Sequence, residues 1–107
     1  MEANDDSAAG RLTRLADGYL VTQLLVVAVE LRLAEHLVAG PRTAADLAAQ
    51  VGAVPGAVAR VLRGLAAEEV VQELPDGRFA GTPLTALLAE NAPGSLAGAV
   101  RARGELY

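Results

Sequence analysis

The 107-residue chain has no cysteine, lysine, isoleucine or tryptophan, and only one histidine and three aromatic residues. Without cysteine there is no disulfide framework, no thiolate zinc site and no cysteine nucleophile. The single histidine, His36, excludes any site that needs two imidazoles, and we expect it to be a surface or interface side chain. Three aromatic residues are too few for a surface that stacks nucleic-acid bases.

What remains is apolar and mildly acidic, with 52% hydrophobic residues and a formal net charge of −4. This balance favours one folded domain over a disordered chain. The sequence contains neither a G-x-G-x-x-G loop after a strand nor a G-x-x-x-x-G-K-[ST] loop for phosphate binding. We therefore assign no catalytic, no cofactor-binding and no metal-ligating residue.

The acidic, polar first residues predict a disordered tail over 1–9, followed by one domain over 10–107. Such a start is the opposite of the cationic start of a secretory signal. The longest apolar stretch, Tyr19 to Leu33, is interrupted by polar and charged residues, whereas a membrane span takes about 20 mostly apolar residues. The sequence thus predicts a cytoplasmic protein that does not bind a membrane.

A long helix is predicted from Arg11 through Leu31, and its second half is apolar on nearly every side. One surface helix needs only a single apolar stripe, so this helix requires cover on several sides. A second copy of the chain is the simplest cover, although a central core helix would show the same pattern. The predicted dimer interface consists of Leu20, Leu24, Leu25, Val27 and Val29.

Two short helices and a hairpin are predicted to follow. Thr43 resembles a helix N-cap, Gly52 a C-terminal stop and Pro55 the first turn of the next helix. The run from Glu69 to Leu74 predicts a strand, and Pro75-Asp76-Gly77 a turn before the return strand. Together these elements predict a mainly α, winged-helix-like domain with a small β-hairpin wing.

Three segments carry a resemblance to a known family: VAVELRLAEHL, GPRTAADLAAQVGAVPGAVARVLRGLAAEEVV and DGRFAGTPLTALLAENAPGSL. In order and spacing they resemble the N-terminal dimerisation domain of S-adenosylmethionine-dependent O-methyltransferases that act on small molecules, the bacterial natural-product and plant type. The resemblance implies a homodimer. It also implies that the parent enzyme acts in antibiotic biosynthesis. It also implies that S-adenosylmethionine binds in a separate Rossmann-like catalytic domain, outside this chain, so these residues alone are expected to be inactive.

The resemblance further implies that the long helix helps to close the acceptor pocket of the enzyme. Tyr19, Thr22 and Gln23 interrupt the apolar surface and lie about one helical turn apart, so they can share a face. These three residues are the predicted lining of the acceptor pocket, while ordinary solvent exposure and packing remain the alternative.

Two other functions fit parts of the pattern. A winged-helix transcription regulator would bind DNA, but the stretch from Thr43 to Gly81 carries three basic and five acidic residues. Phosphate neutralisation needs the opposite balance, so we predict no nucleic-acid partner. The chain could also be a standalone partner of a separate methyltransferase chain, with the catalytic domain supplied in trans instead of in cis.

Overall fold

Side-chain caps at Ser7, Thr43 and Thr82 mark the starts of three of the six described helices. The computed structural model describes residues 7–106. The described elements are α1 (Ala8–Glu30), α2 (Leu33–Ala39), α3 (Ala44–Val51), α4 (Pro55–Ala67), β1 (Val71–Glu73), β2 (Phe79–Gly81), α5 (Pro83–Leu88) and α6 (Ala97–Gly104).

The predicted stop and start signals between α3 and α4 are confirmed. The Thr43 hydroxyl accepts a hydrogen bond from the Asp46 amide at 3.0 Å, which satisfies one free donor of the first turn. Gly52 ends α3 at φ +73°, a left-handed conformation that glycine adopts without a steric penalty. Val54 precedes α4 and offers no capping side chain.

Near the N-terminus, α1 begins earlier than the sequence predicts. The Ser7 hydroxyl accepts a hydrogen bond from the Gly10 amide at 2.9 Å, so Ser7 is the N-cap and the helix starts at Ala8. Of the predicted tail over 1–9, residues 1–6 lie outside the described residues. The overlap of two residues follows from the capping preference of serine, which the helical periodicity alone does not reveal.

The two strands form a small antiparallel sheet, with Val71 opposite Gly81 and Glu73 opposite Phe79. The predicted strand from Glu69 starts two residues too early, because Glu69 has φ +63° and is part of a turn. Phe79 also exchanges backbone hydrogen bonds with Arg42, which ties the hairpin to the segment before α3. The fold is therefore mainly helical with one small antiparallel sheet.

One buried core holds these elements together. The end of α1 contributes Val29, α2 contributes Leu33, and α4 contributes Leu62, each 1% exposed or less. The other large aliphatic side chains that are fully buried are Leu47, Val58 and Leu65. The core thus lies beneath the C-terminal end of α1, and the N-terminal half of that helix is distant from it.

The hairpin is fastened to α5 by two threonines that share one acceptor. The hydroxyls of Thr82 and Thr85 donate to the Val70 carbonyl at 2.6 and 2.5 Å, and the Thr82 amide donates to the Thr85 hydroxyl at 3.0 Å. Thr85 is 1% exposed, so water cannot replace these bonds.

Replacing Thr85 by valine, which has the same shape, is expected to lower the free energy of unfolding by about 1–3 kcal/mol. The half-buried Thr82 amide would lose its acceptor, and a donor left unsatisfied away from water costs about that much. Thr85→Ser is the matched control, because it keeps the hydroxyl and loses one methyl group, for about 1 kcal/mol. Urea denaturation measures both variants, and a valine variant as stable as wild type would contradict this account.

The helix α1 is also long and apolar enough to cross a membrane by length and composition. The apolar stretch from Tyr19 to Leu33 is shorter than the 23-residue helix that contains most of it, so the prediction from that stretch missed this property. Core helices of soluble proteins meet the same criterion, so it does not by itself identify a membrane helix. Only 11% of its apolar window is buried, so α1 presents more apolar surface than the chain itself covers.

Candidate dimerisation surface

The two halves of α1 have different surroundings. Residues 11–20 are all exposed, whereas residues 21–27 are half-buried and Ala28 and Val29 are buried. The exposed half carries large apolar side chains on one side of the helix. We call this set the α1 stripe; it consists of Leu12, Leu15, Tyr19 and Leu20.

The second half of α1 is held by close approaches of two other helices, each at a glycine. A Cβ built on Gly64 of α4 would lie 2.7 Å from Cδ1 of Leu24, and one on Gly104 of α6 would lie 2.5 Å from Cγ2 of Val26. Real Cβ atoms do not approach so closely, so glycine is what lets α4 and α6 pack against α1. The α1 stripe lies N-terminal to both of these contacts.

The structure places the five predicted interface residues in three settings. Leu20 is 56% exposed and belongs to the α1 stripe. Leu24, Leu25 and Val27 are half-buried, and Leu24 and Leu25 already pack against the core of their own chain. Val29 is 1% exposed and lies in the core of its own chain, so little of its side chain is available to a partner.

The predicted pocket-lining residues lie at the boundary between the two halves of α1. Tyr19 is exposed, while Thr22 and Gln23 are half-buried. The Thr22 hydroxyl donates to the Gly18 carbonyl at 3.1 Å, a local bond within the helix. By helical spacing the three side chains share one side of α1, and Tyr19 is also a member of the α1 stripe.

An apolar groove opens on another side of the molecule, between the second half of α1 and the helices α5 and α6. Its volume is about 240 Å³. We call it the α5–α6 groove; its lining residues are all aliphatic: Leu25, Val70, Leu84, Leu87, Leu88, Leu96 and Val100. Leu84 and Leu96 are about half exposed at its rim. Sequence reasoning found the helical spacing of Leu84, Leu87 and Leu88 but could not place α6 beside them.

A network of five charged side chains joins the ends of the helices around the groove. Arg101 binds Glu30 at 2.8 Å and also pairs with Glu90, while Arg32 reaches Glu90 at 3.4 Å and Glu35 at 3.5 Å. The hydrogen bond from Arg101 holds the pKa of the Glu90 carboxyl below its usual value. The Glu30 and Glu90 carboxylates in turn raise the pKa of the Arg101 guanidinium. The network fixes α6 against the end of α1.

The described residues provide surfaces for association and little for chemistry. No group of three or more His, Asp or Glu side chains within residues 7–106 could hold a metal ion. Apolar side chains that remain in water favour burial against another apolar surface, at about 25 cal/mol per Å². An exposed apolar helix half and an apolar groove are therefore the features with functional meaning.

Comparison with known proteins identifies the source of these surfaces. The family description of the O-methyltransferase dimerisation domain matches residues 13–91, which include most of α1 and all of α2 to α5. The chain belongs to this family. The resemblance drawn from the sequence is thereby confirmed, including its bacterial natural-product type.

The relatives of this dimerisation domain are bacterial enzymes about three times as long as this chain. The phenazine O-methyltransferase PhzM of Lysobacter antibioticus is 40% identical over 85 residues, which are 79% of this chain and 25% of that protein. The 8-amino-8-demethylriboflavin N,N-dimethyltransferase of Streptomyces davaonensis is 35% identical over 97 residues, 91% of this chain and 28% of that protein. The dimerisation domain thus spans about a quarter of the length of these relatives.

Solved structures agree with the sequence matches. The crystal structure of CalO1, a methyltransferase in calicheamicin biosynthesis with SAH bound, superposes with a TM-score of 0.77 at 42% identity. The match covers 87% of this chain and 28% of that one. The LaPhzM crystal structure superposes with a TM-score of 0.86 at 36% identity, and covers 92% and 30%. The arrangement of helices and hairpin is therefore that of the family.

Proposed function

We propose that this dimerisation domain pairs two copies of itself and belongs to a methyltransferase that modifies a small molecule of specialised metabolism. The single observation that carries the pairing is the exposed half of α1, where large apolar side chains face water in the isolated chain. Monomers rarely keep a contiguous apolar patch uncovered without a function. In this proposal α3, α4 and the hairpin form a winged-helix-like scaffold, and α1 supplies the contact with the second copy.

The proposed enzyme uses S-adenosylmethionine in a catalytic domain supplied in cis or in trans. Support comes from CalO1, whose crystal structure holds SAH. The acceptor is left open, because the relatives include enzymes named for different acceptors: a phenazine, 8-amino-8-demethylriboflavin and, in Streptomyces alboniger, O-demethylpuromycin. A cytoplasmic location fits a methyl donor that is made and used inside cells.

We further propose that Tyr19, Thr22 and Gln23 help to close the acceptor pocket. They lie where the exposed half of α1 leaves the body of its own chain, so they can reach a neighbouring catalytic domain. A few polar groups on an apolar surface are typical of small-molecule pockets. Their position supports this role, and the differing acceptors of the relatives are consistent with a variable lining.

Sedimentation of the 107-residue chain at micromolar concentration is expected to give a dimer, and Leu15→Glu is expected to weaken it. Leu15 is 73% exposed, so the chain can fold with glutamate at this position. Losing one buried leucine costs about 1.5–3 kcal/mol, so the dissociation constant should rise at least about tenfold. Sedimentation equilibrium measures both proteins.

Val54→Glu is the matched control, because Val54 is similarly exposed and lies far from α1 in sequence, before α4. It should leave the dimer intact. Leu24→Asp would be a poor test of pairing. Leu24 packs against Gly64 within its own chain, so this substitution would also disturb the fold. A wild-type chain that stays monomeric refutes the pairing, and if that monomer binds phospholipid vesicles the apolar half of α1 serves a membrane instead.

The 107-residue chain is expected not to bind S-adenosylmethionine. Rossmann-like domains bind nucleotide cofactors with a loop at the end of a parallel strand. The sheet in the described residues is a two-stranded antiparallel one, which provides no such loop. Isothermal titration calorimetry should show no heat of binding above that of dilution. Micromolar binding would contradict the division of labour between this domain and a catalytic domain.

A further inference from the structure

The last described helix, α6, buries little apolar surface against the rest of the chain. Of its eight residues only Ala97 is buried, and Val100 adds a half-buried side chain to the wall of the α5–α6 groove. In proteins, most of the stability of a helix comes from packing an apolar face against other elements. We therefore expect α6 to separate from α1 more readily than the core helices separate from one another.

Charged side chains supply much of what holds α6 in place. The Arg101 guanidinium binds the Glu30 carboxylate at the end of α1 at 2.8 Å, and it also pairs with Glu90, which follows α5. Arg32 reaches the same Glu90 carboxylate at 3.4 Å. An isolated surface ion pair stabilises a fold little, but a guanidinium shared between two carboxylates belongs to a network with a larger effect.

The connection before α6 allows this helix to move as one piece. Residues 89–96 form neither helix nor strand, and Gly94 within them has φ +72°. The Leu96 amide donates to the Leu87 carbonyl at 2.7 Å, which ties the start of α6 to α5. Gly104 at the other end of α6 lies over Val26 of α1, so Arg101 is placed between the tied end and the end that can lift.

From this arrangement we infer that α6 (Ala97–Gly104) is a lid on the second half of α1, and that Arg101 is its latch. The lid opens about Leu96 while the core stays folded. Opening uncovers Ala97 and Val26, and it removes Val100 from the wall of the α5–α6 groove. The apolar surface of the domain then depends on ionic strength, because salt screens exposed ion pairs. The inference does not rest on the proposed pairing, since the lid, the latch and α1 belong to one chain.

Thiol labelling tests the lid without background, because the chain has no cysteine of its own. Ala97→Cys places a thiol under the lid and Ala48→Cys places one in the core, at alanines that are 2% and 1% exposed. A buried thiol reacts with a maleimide only when its surroundings open. We expect Arg101→Gln to raise the labelling rate of Ala97→Cys at least about fivefold, and that of Ala48→Cys less than about twofold.

Salt provides a second measurement that needs no substitution at Arg101. In about 1 M NaCl the screening length falls to about 3 Å, so the labelling rate of Ala97→Cys should rise as it does with Arg101→Gln. In the Arg101→Gln protein the same salt should add little, because the latch is already absent. A salt effect of the same size in both proteins would mean that salt acts elsewhere and would overturn the role of Arg101.

Arg103→Gln is the matched control, because it removes the same charge from the same helix. The Arg103 guanidinium donates to the Ala99 carbonyl within α6 at 3.3 Å, so its loss should change the labelling of Ala97→Cys less than about twofold. Circular dichroism reports whether each variant is folded. If Arg101→Gln speeds the labelling of both thiols equally, the domain opens as a whole and the lid is refuted. If it changes neither rate, Arg101 is not a latch.

Discussion

Leu62→Ala is expected to lower the free energy of unfolding by about 2–5 kcal/mol. Leu62 lies in α4 with 0% of its surface exposed, so the truncation removes buried methyl groups and leaves a cavity. Domains have a total stability of only about 5–15 kcal/mol, so this loss is a large fraction of the total. Urea denaturation at one fixed protein concentration measures the difference, since dimerisation makes the midpoint depend on concentration.

Leu106→Ala is the matched control for this prediction. It removes the same atoms from a leucine that is 83% exposed, and should change the stability by no more than about 0.5 kcal/mol. If the two variants lose similar stability, Leu62 does not occupy the centre of the core and the arrangement of α4 is incorrect.

The second large effect is expected at Gly104, where alanine should destabilise the fold by about 1–3 kcal/mol. The new Cβ would lie 2.5 Å from Cγ2 of Val26, a β-branched side chain with little freedom to move away. The helix α6 must then shift from α1, which also strains the contacts of Arg101 with Glu30 and Glu90. Thermal unfolding followed by circular dichroism measures the loss.

Gly98→Ala makes the same substitution in the same helix and should have the opposite sign. A Cβ at Gly98 has no neighbour within 4 Å, so only the better helix propensity of alanine counts, worth up to about 1 kcal/mol. Equal effects at the two glycines would mean that α6 does not pack against α1 as described.

Much of the fold follows from local signals in the sequence. The start of α3 at Thr43, its end at Gly52 and the start of α4 at Pro55 depend on residues within one turn of each boundary. The hairpin was predicted for the same reason, but its first strand was placed too early. The left-handed backbone of Glu69 gives no signal in the sequence, because glutamate rarely adopts it.

The interface was harder to predict because α1 is apolar on several sides. Periodicity identifies which residues share a face, but it cannot say whether that face meets the core of the same chain or a partner. Val29 was therefore assigned to the interface although it is buried in its own core, and Leu24 packs against Gly64. Conversely, Leu12 and Leu15 were not assigned to the interface, although their side chains are more exposed than that of Leu20, the most exposed of the five predicted residues.

The α5–α6 groove and the charged network lie beyond sequence reasoning for a different reason. Each joins residues far apart in the chain, such as Glu30 and Arg101, which are 71 positions apart. No local pattern encodes that α6 returns to the end of α1. Such contacts become visible only once the tertiary structure is known.

The return of α6 to α1 also determines the order in which the chain can fold as it is synthesised. The helices α3 and α4 are neighbours in sequence, so they can pack as soon as both have emerged from the ribosome. The second half of α1 is synthesised earlier, but α6 can pack against it only after the residues around Gly104 have emerged. During this interval the side of α1 that includes Val26 stays exposed, and chaperone binding to this part of the nascent chain is expected.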